Sequence, residues 1–181
     1  MGRGTDLDDA TSWTFEPIVG SAGLIQPSTT PAWGPAGTTT LVTFFRDQTR
    51  HHVYRSTSHD GASWSAPVPT ELPNNDAGIE AILLSTTALA LAFNPVTEGR
   101  DPLALALSTD GGETWPCARN LQHGNSTAAD EMPEFSYPSL LQTPDGMIHL
   151  TYTYNRETIK YKRVDEAWVR AACGEHTGPG G

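Results

Sequence analysis

Hydrophobic positions along this chain alternate with polar ones in short runs, and nowhere do they recur at helical spacing. The runs come in pairs: TTTLVTFF at 38–45 with HHVYRSTS at 51–58, ALALAF at 88–93 with PLALALS at 102–108, and MIHLTYTY at 147–154 with TIKYKRV at 158–164. Period-two alternation over about five to eight residues predicts β-strands, since successive side chains point to opposite faces. TPDGM at 143–147 predicts a hairpin turn, and no amphipathic helix is predicted anywhere. The longest apolar stretch, Ile79 to Phe93, is interrupted by Glu80, Ser85, Thr86 and Thr87, so no membrane span is predicted.

The tryptophans add a longer period. Trp13, Trp64 and Trp115 are spaced by 51 residues each, and Trp168 follows 53 residues later. Each of the first three closes a similar motif. STDGGETW at 108–115 is the full form, SHDGASW at 58–64 is one residue shorter, DLDDATSW at 6–13 replaces the glycine with Ala10, and RVDEAW around Trp168 keeps only Asp165 and the indole. Asp-Gly sets up a tight reversal, the carboxylate accepts nearby backbone N–H groups, and the indole packs beneath. A repeat of about 50 residues holding four short antiparallel strands is the signature of a β-propeller blade. The expected fold is therefore all-β, a propeller of four-stranded antiparallel blades. About three blades occupy residues 1–170, and 171–181 form a disordered tail.

Composition narrows the partners. The 181 residues suit one domain, and 11 Lys and Arg against 21 Asp and Glu give a net charge of −10. That balance argues against nucleic acid and against a basic membrane-surface patch. The first ten residues are polar and acidic, with no export signal among them, which leaves the compartment open with the cytoplasm as one reading. Cys117 and Cys173 have neither metal-ligand spacing nor the density of a disulfide scaffold, and read as free thiols, the second in the tail. Asn125–Thr127 forms a glycosylation sequon that matters only in an exported protein. The six histidines lack metal spacing, so neither metal nor cofactor is expected.

STDGGETW resembles the Asp-box, or BNR repeat, of the sialidase (neuraminidase) family, whose catalytic domain is a six-bladed propeller. The resemblance runs from Asp6 to Trp168 and implies that these octets hold the fold without taking part in catalysis. It implies the C-terminal half of such a propeller, with a sialoglycan or other acidic glycan as partner. The chain would then self-associate or be completed by an N-terminal half. Sialidases hold the substrate carboxylate with three arginines, use a tyrosine nucleophile with a glutamate beside it, and use an aspartate as acid/base. FSYPSLLQTPDGMIHLTY resembles the stretch carrying the nucleophile and implies that role for Tyr137; GRDPLALALSTDGGETW implies the third arginine at Arg100; LVTFFRDQ implies the second at Arg46. The first arginine and the aspartate belong to the family's N-terminal blades.

The glutamate expected on the first strand of the Arg46 blade is replaced by Gln26, in GLIQPSTT. A neutral amide is a poor base for a phenol of ordinary pKa about 10. Aligning LIQPS, GIEAI and FSYPS sets Gln26, Glu80 and Tyr137 at one position on three successive blades, which makes Glu80 a candidate for the missing carboxylate. Each residue also has a plain structural reading: Tyr137 as a strand-start aromatic, Arg46 and Arg100 as surface partners of Asp47 and Asp101, and Glu80 as a rim residue. Two functions follow: an incomplete sialidase-type exo-glycosidase domain, or a non-catalytic glycan-binding or structural propeller fragment.

Overall fold

The computed structural model describes residues 2–3, 14–33, 38–124 and 132–174; the motif at 6–13, the sequon at 125–127 and positions 175–181, His176 among them, lie outside the described residues. Strands β1 (Gly2–Arg3) and β2 (Thr14–Phe15) pair with each other. Three antiparallel meanders follow, each keeping chain order. The first is β3 (Leu24–Trp33), β4 (Thr39–Asp47), β5 (His52–Ser58) and β6 (Val68–Pro73). The second is β7 (Glu80–Leu83), β8 (Leu89–Phe93), β9 (Leu103–Ser108) and β10 (Cys117–Gln122). The third is β11 (Phe135–Gln142), β12 (Ile148–Tyr154) and β13 (Thr158–Val164), followed by a short helix α1 (Glu166–Arg170).

The second sheet lies between the other two and is buried on both faces. On β8, Leu89, Leu91 and Phe93 face the first sheet, packing with Val42 and Phe44, while Ala90 and Ala92 face the third. On β9 the order is inverted. Leu103, Leu105 and Leu107 face the third sheet with Phe135, Leu150 and Tyr152, while Ala104 and Ala106 face the first. The register sets Leu91 beside Ala106 and Ala92 beside Leu105, so each face presents a large residue next to a small one. Flanking side chains enter the gap above each alanine, which gives dense packing from an alanine–leucine alphabet. Burying each leucine or phenylalanine contributes about 1.5–3 kcal/mol.

The tryptophan motifs are turns held by their own side chains. In the shorter form, Ser58 Oγ accepts from the Gly61 N–H at 2.9 Å, and Asp60 Oδ1 accepts from the N–H groups of Ala62 (2.8 Å) and Ser63 (2.7 Å). These backbone donors, Ser63 first, bring the Asp60 carboxyl down to about 2. In the full form Ser108 Oγ accepts from Gly112 N–H at 2.9 Å, and Asp110 accepts from Glu113 and Thr114 N–H. The extra residue is absorbed by Gly111 and Gly112, both left-handed at φ 77° and 85°. Trp115, only 5% exposed, meets Phe44 of the neighbouring sheet edge-on at 5.5 Å. A Cβ on Gly112 would stand 2.5 Å from Phe44 Cζ, so this glycine also permits the close approach of the sheets.

Two expectations are corrected. Cys117 and Cys173 are not free thiols: they form a disulfide across 56 positions, and Cys173 bridges β10 as a one-residue strand. Gly174 N–H donates to Pro116 O at 3.0 Å, so the folded chain continues through 174. And the degraded motif at Trp168 is not a turn but the start of α1. Asp165 caps the helix by accepting from Trp168 N–H at 2.7 Å, a use open to an aspartate once the following glycine is gone. The Trp168 ring receives Arg119 of β10 with the guanidinium carbon 4.3 Å from its centroid. Thus the segment after β13 turns back onto the second sheet.

Closing a loop of this length should stabilise the fold by about 2–4 kcal/mol. Adding dithiothreitol, or replacing both cysteines with alanine, is expected to lower the urea midpoint by that equivalent, and the double variant should no longer respond to reductant. Gly112→Ala should cost about 2–4 kcal/mol through the Phe44 clash and the positive φ. Gly146→Ala, at φ 82° with no neighbour within 4 Å, should cost only about 1 kcal/mol. Equal losses in the two variants would remove the inter-sheet component.

Candidate functional site

Three sheet edges converge where β3, β7 and β11 begin. Gln26 on β3 and Tyr137 on β11 are both left-handed, with φ of 46° and 52°, and both precede a proline. Each also sits at a register shift, between Ile25 and Ser28 on β3 and between Ser136 and Ser139 on β11. These are β-bulges: an extra residue is pushed out of the ladder and its side chain re-aimed. Proline lacks the N–H the ladder would otherwise require, so the Gln-Pro and Tyr-Pro pairs suit such a site. Glu80, at the same place in the sequence alignment, pairs regularly with Ala92 and makes no bulge.

Gly78 lies between the two bulged residues. A Cβ there would stand 2.9 Å from Tyr137 Cδ1 and 3.7 Å from Gln26 Oε1, so Tyr137 and Gln26 face each other across a position where only glycine leaves room. Glu80 follows two residues later and is half-buried. Burial pushes its carboxyl up from the ordinary value, partly offset by Ser28. Among the described residues no hydrogen bond joins Glu80 to Tyr137.

Both arginines singled out in the sequence come to the tyrosine. The Arg100 guanidinium carbon lies 5.1 Å from the Tyr137 ring centroid. Hydrogen bonding from Arg100 foremost, and from Arg46 as well, holds the Tyr137 hydroxyl below the ordinary phenol value despite partial burial. The ring is 47% exposed, so this acidified phenol is open to solvent.

The arginines are positioned by residues the sequence did not single out. Arg46 Nε is 3.2 Å from Asp76 Oδ1, close enough for an ion pair but without hydrogen-bond alignment, and the buried Arg46 Nη1 has no partner. Arg100 Nη1 donates to Glu134 Oε1 at 2.9 Å, which also accepts from Ser136 Oγ at 2.9 Å, while Arg156 Nε approaches Oε2 at 2.7 Å. The neighbouring aspartates are not the partners. Asp47 accepts from Thr49 N–H at 2.8 Å within its own turn, and Asp101 accepts from Gly124 N–H at 3.1 Å. Fully buried Asn94 binds the arrangement together, its Nδ2 lying 3.0 Å from Arg100 O, 2.8 Å from Pro102 O and 2.9 Å from Phe135 O. One amide therefore ties the Arg100 loop to the strand that carries Tyr137. Among the described residues, no group of three His, Cys, Asp or Glu side chains could hold a metal ion.

The BNR repeat-like domain model matches residues 4–150. No curated protein matches the chain by sequence. Among solved structures, the intramolecular trans-sialidase from Ruminococcus gnavus in complex with oseltamivir carboxylate is 20% identical, with a TM-score of 0.66, over 90% of this chain and 37% of its own. The leech intramolecular trans-sialidase complexed with 2,7-anhydro-Neu5Ac is 18% identical, with a TM-score of 0.66, over 90% and 27%. An α-L-arabinanase from Penicillium chrysogenum, complexed with arabinobiose, is 17% identical, with a TM-score of 0.54, over 80% and 46%. The chain spans less than half the length of each of these proteins, and at such identities the likeness is one of fold. With the domain match running through most of its length, the chain belongs to the BNR repeat-like family and carries a sialidase-like, glycoside-hydrolase-type fold.

Proposed function

We propose that this chain supplies part of the catalytic face of a sialidase-type exo-glycosidase acting on terminal sialic acid or a related acidic sugar. The observation that carries the reading is an exposed tyrosine on a bulge, with its hydroxyl acidified by two guanidiniums. Arg46 and Arg100 would hold the sugar carboxylate, for which a planar, permanently charged fork is suited. Tyr137 Oη would attack the anomeric carbon, forming the phenolic C–O bond as the bond to the leaving sugar breaks. A neutral nucleophile suits a substrate that is itself an anion, as sialidases with a tyrosine nucleophile illustrate. Protonation of the leaving oxygen would come from the aspartate that the family resemblance assigns to other blades, together with the first arginine. Glu80 would take the phenolic proton, its half-buried carboxylate being more basic than an exposed one. Gln26 would bind substrate as a neutral amide.

A second reading is glycan binding without turnover. It is favoured by Gln26 standing where a base is expected, and by both arginines already facing a carboxylate, Asp76 and Glu134.

Titrating the chain with 3′-sialyllactose separates the two readings. Arg100→Ala should weaken binding by about tenfold or more, the scale of a charged hydrogen bond. Tyr137→Phe should leave binding within about threefold while abolishing release of sialic acid by the complete catalytic protein. Glu80→Gln should also abolish release, and an unchanged rate removes Glu80 from the mechanism. Binding with no hydrolysis in any form supports the second reading.

The acidified phenol makes a separate prediction. Ultraviolet titration should place Tyr137 below the other tyrosines, and Arg100→Gln should move it back up. The folded phenol releases its proton before the unfolded one does. Stability from this group is therefore full above the unfolded value of about 10 and is lost as pH falls through the depressed folded value.

A further inference from the structure

Beside the tyrosine site lies a concavity of about 290 Å³, of whose lining the function proposed above uses Arg100 alone. Arg50, Arg100 and Arg156 line it, with Asp76 and Glu134 as its acidic members. Arg50 comes from the β4–β5 turn and Arg156 from the β12–β13 turn, so the first and third sheets each contribute a guanidinium across the second.

Three observations give this cleft a ligand class. The first is charge: with Arg46 at its edge, four of the chain's 11 Lys and Arg gather here against two carboxylates, in a protein of net charge −10. The second is vacancy of partners. Among the described residues the Arg50 guanidinium has no hydrogen-bond or ion-pair partner, and the Arg156 side chain is 73% exposed while touching Glu134 with only one edge. The third is backbone strain. Among the described residues seven non-glycine positions have positive φ, and six of them lie in or against the cleft and the tyrosine site: Gln26, Arg50, Asp76, Tyr137, Asn155 and Arg156; the seventh, Thr87, is elsewhere. Arginine gains nothing from the left-handed region, where asparagine and glycine are at home. Such residues cluster where structure is over-determined for binding. Arg50 at φ 62° and Arg156 at φ 56° stand at the left-handed positions of the β4–β5 and β12–β13 turns, so both guanidiniums leave the backbone from tightly closed hairpin ends.

We propose that the cleft is an oxyanion subsite formed by Arg50 and Arg156, beside the Arg100 that would hold the terminal acidic sugar, and that it accepts a second acidic group on the same glycan. Its place on a glycan rests on the function proposed above; its capacity to bind an oxyanion does not. The second acidic group is either a carboxylate of an adjoining acidic sugar or a sulfate ester.

The test is a titration of the nitrogen-15-labelled chain, following arginine Nε–Hε resonances as sodium sulfate replaces sodium chloride at constant ionic strength. Saturable shifts are expected at Arg50 and Arg156. Arg50→Gly and Arg156→Gly should each weaken the apparent affinity by about fivefold or more, the loss of one charged contact. Both variants suit the left-handed backbone, so the fold survives. Sodium acetate in place of sulfate assigns the source: tighter acetate binding names a carboxylate, tighter sulfate binding a sulfate ester. Saturation at Arg50 and Arg156 that persists in Arg46→Gln supports the subsite even if the sialidase reading fails. Shifts confined to Arg46 and Arg100, uniform linear shifts of all arginines, or unchanged affinity in both glycine variants overturn it.

Discussion

The middle sheet is buried on both faces, and everything else takes its position from that. A strand with one buried face already has its register specified, because a one-residue slip turns its apolar set to water; β8 and β9 are held twice over, because each residue belongs to one of two cores. A register slip of one residue would drive Leu91 and Leu105 into the spaces that Ala92 and Ala104 leave for their neighbours. The consequence reaches the functional edge directly. Asn94 follows directly on β8, Arg100 leads into β9, and β7 begins two residues after Gly78. A sheet locked from both sides thus fixes the points from which the tyrosine and both arginines are aimed.

Much of this was legible in the sequence. ALALAF and PLALALS displayed their two-sided burial as near-continuous apolar runs, and the tryptophan spacing marked the turns, because both depend on residues close together in the chain. Tyr137, Arg46 and Arg100 were visible through short flanking motifs. Other features were hidden for a common reason: each depends on residues brought together only by folding. Glu134, three residues before Tyr137, carries no local signal, and only the third sheet places it between Arg100 and Arg156. The Cys117–Cys173 bridge joins positions with no local sign of kinship. The helix at Trp168 required seeing that Asp165, deprived of its glycine, would cap rather than turn. The paired signals Gln26-Pro27 and Tyr137-Pro138 were within reach of sequence reading, since proline after a strand-initial polar residue marks a bulge. Glu80, the third member of that alignment, lacks the proline and the bulge.

The return of the chain after β13 bears on how the sheets are joined. A meander on its own is tied to the next sheet by packing and one connecting loop. Here the segment after the third sheet adds the Arg119–Trp168 stack and the disulfide at Cys173 to the ties between the two sheets. Both lie on β10, the strand of the middle sheet farthest from β7. The covalent tie therefore lies at the β10 margin, away from the bulged, solvent-open edge where Gln26 and Tyr137 stand.

The distribution of charge carries a further consequence, concerned with exclusion. At separations beyond the screening length of about 8 Å in physiological salt, an approaching anion meets little of any one side chain and responds to the overall negative surface. Inside that distance, the four guanidiniums around the tyrosine dominate. A long polyanion has to lay many charges against the acidic exterior to deliver one to the cleft, whereas a single acidic residue at the tip of a neutral chain does not. Under the function proposed, the arrangement that would draw in a terminal acidic group would turn away nucleic acid and other uniformly charged polymers, a filter by charge density that operates before any contact is made.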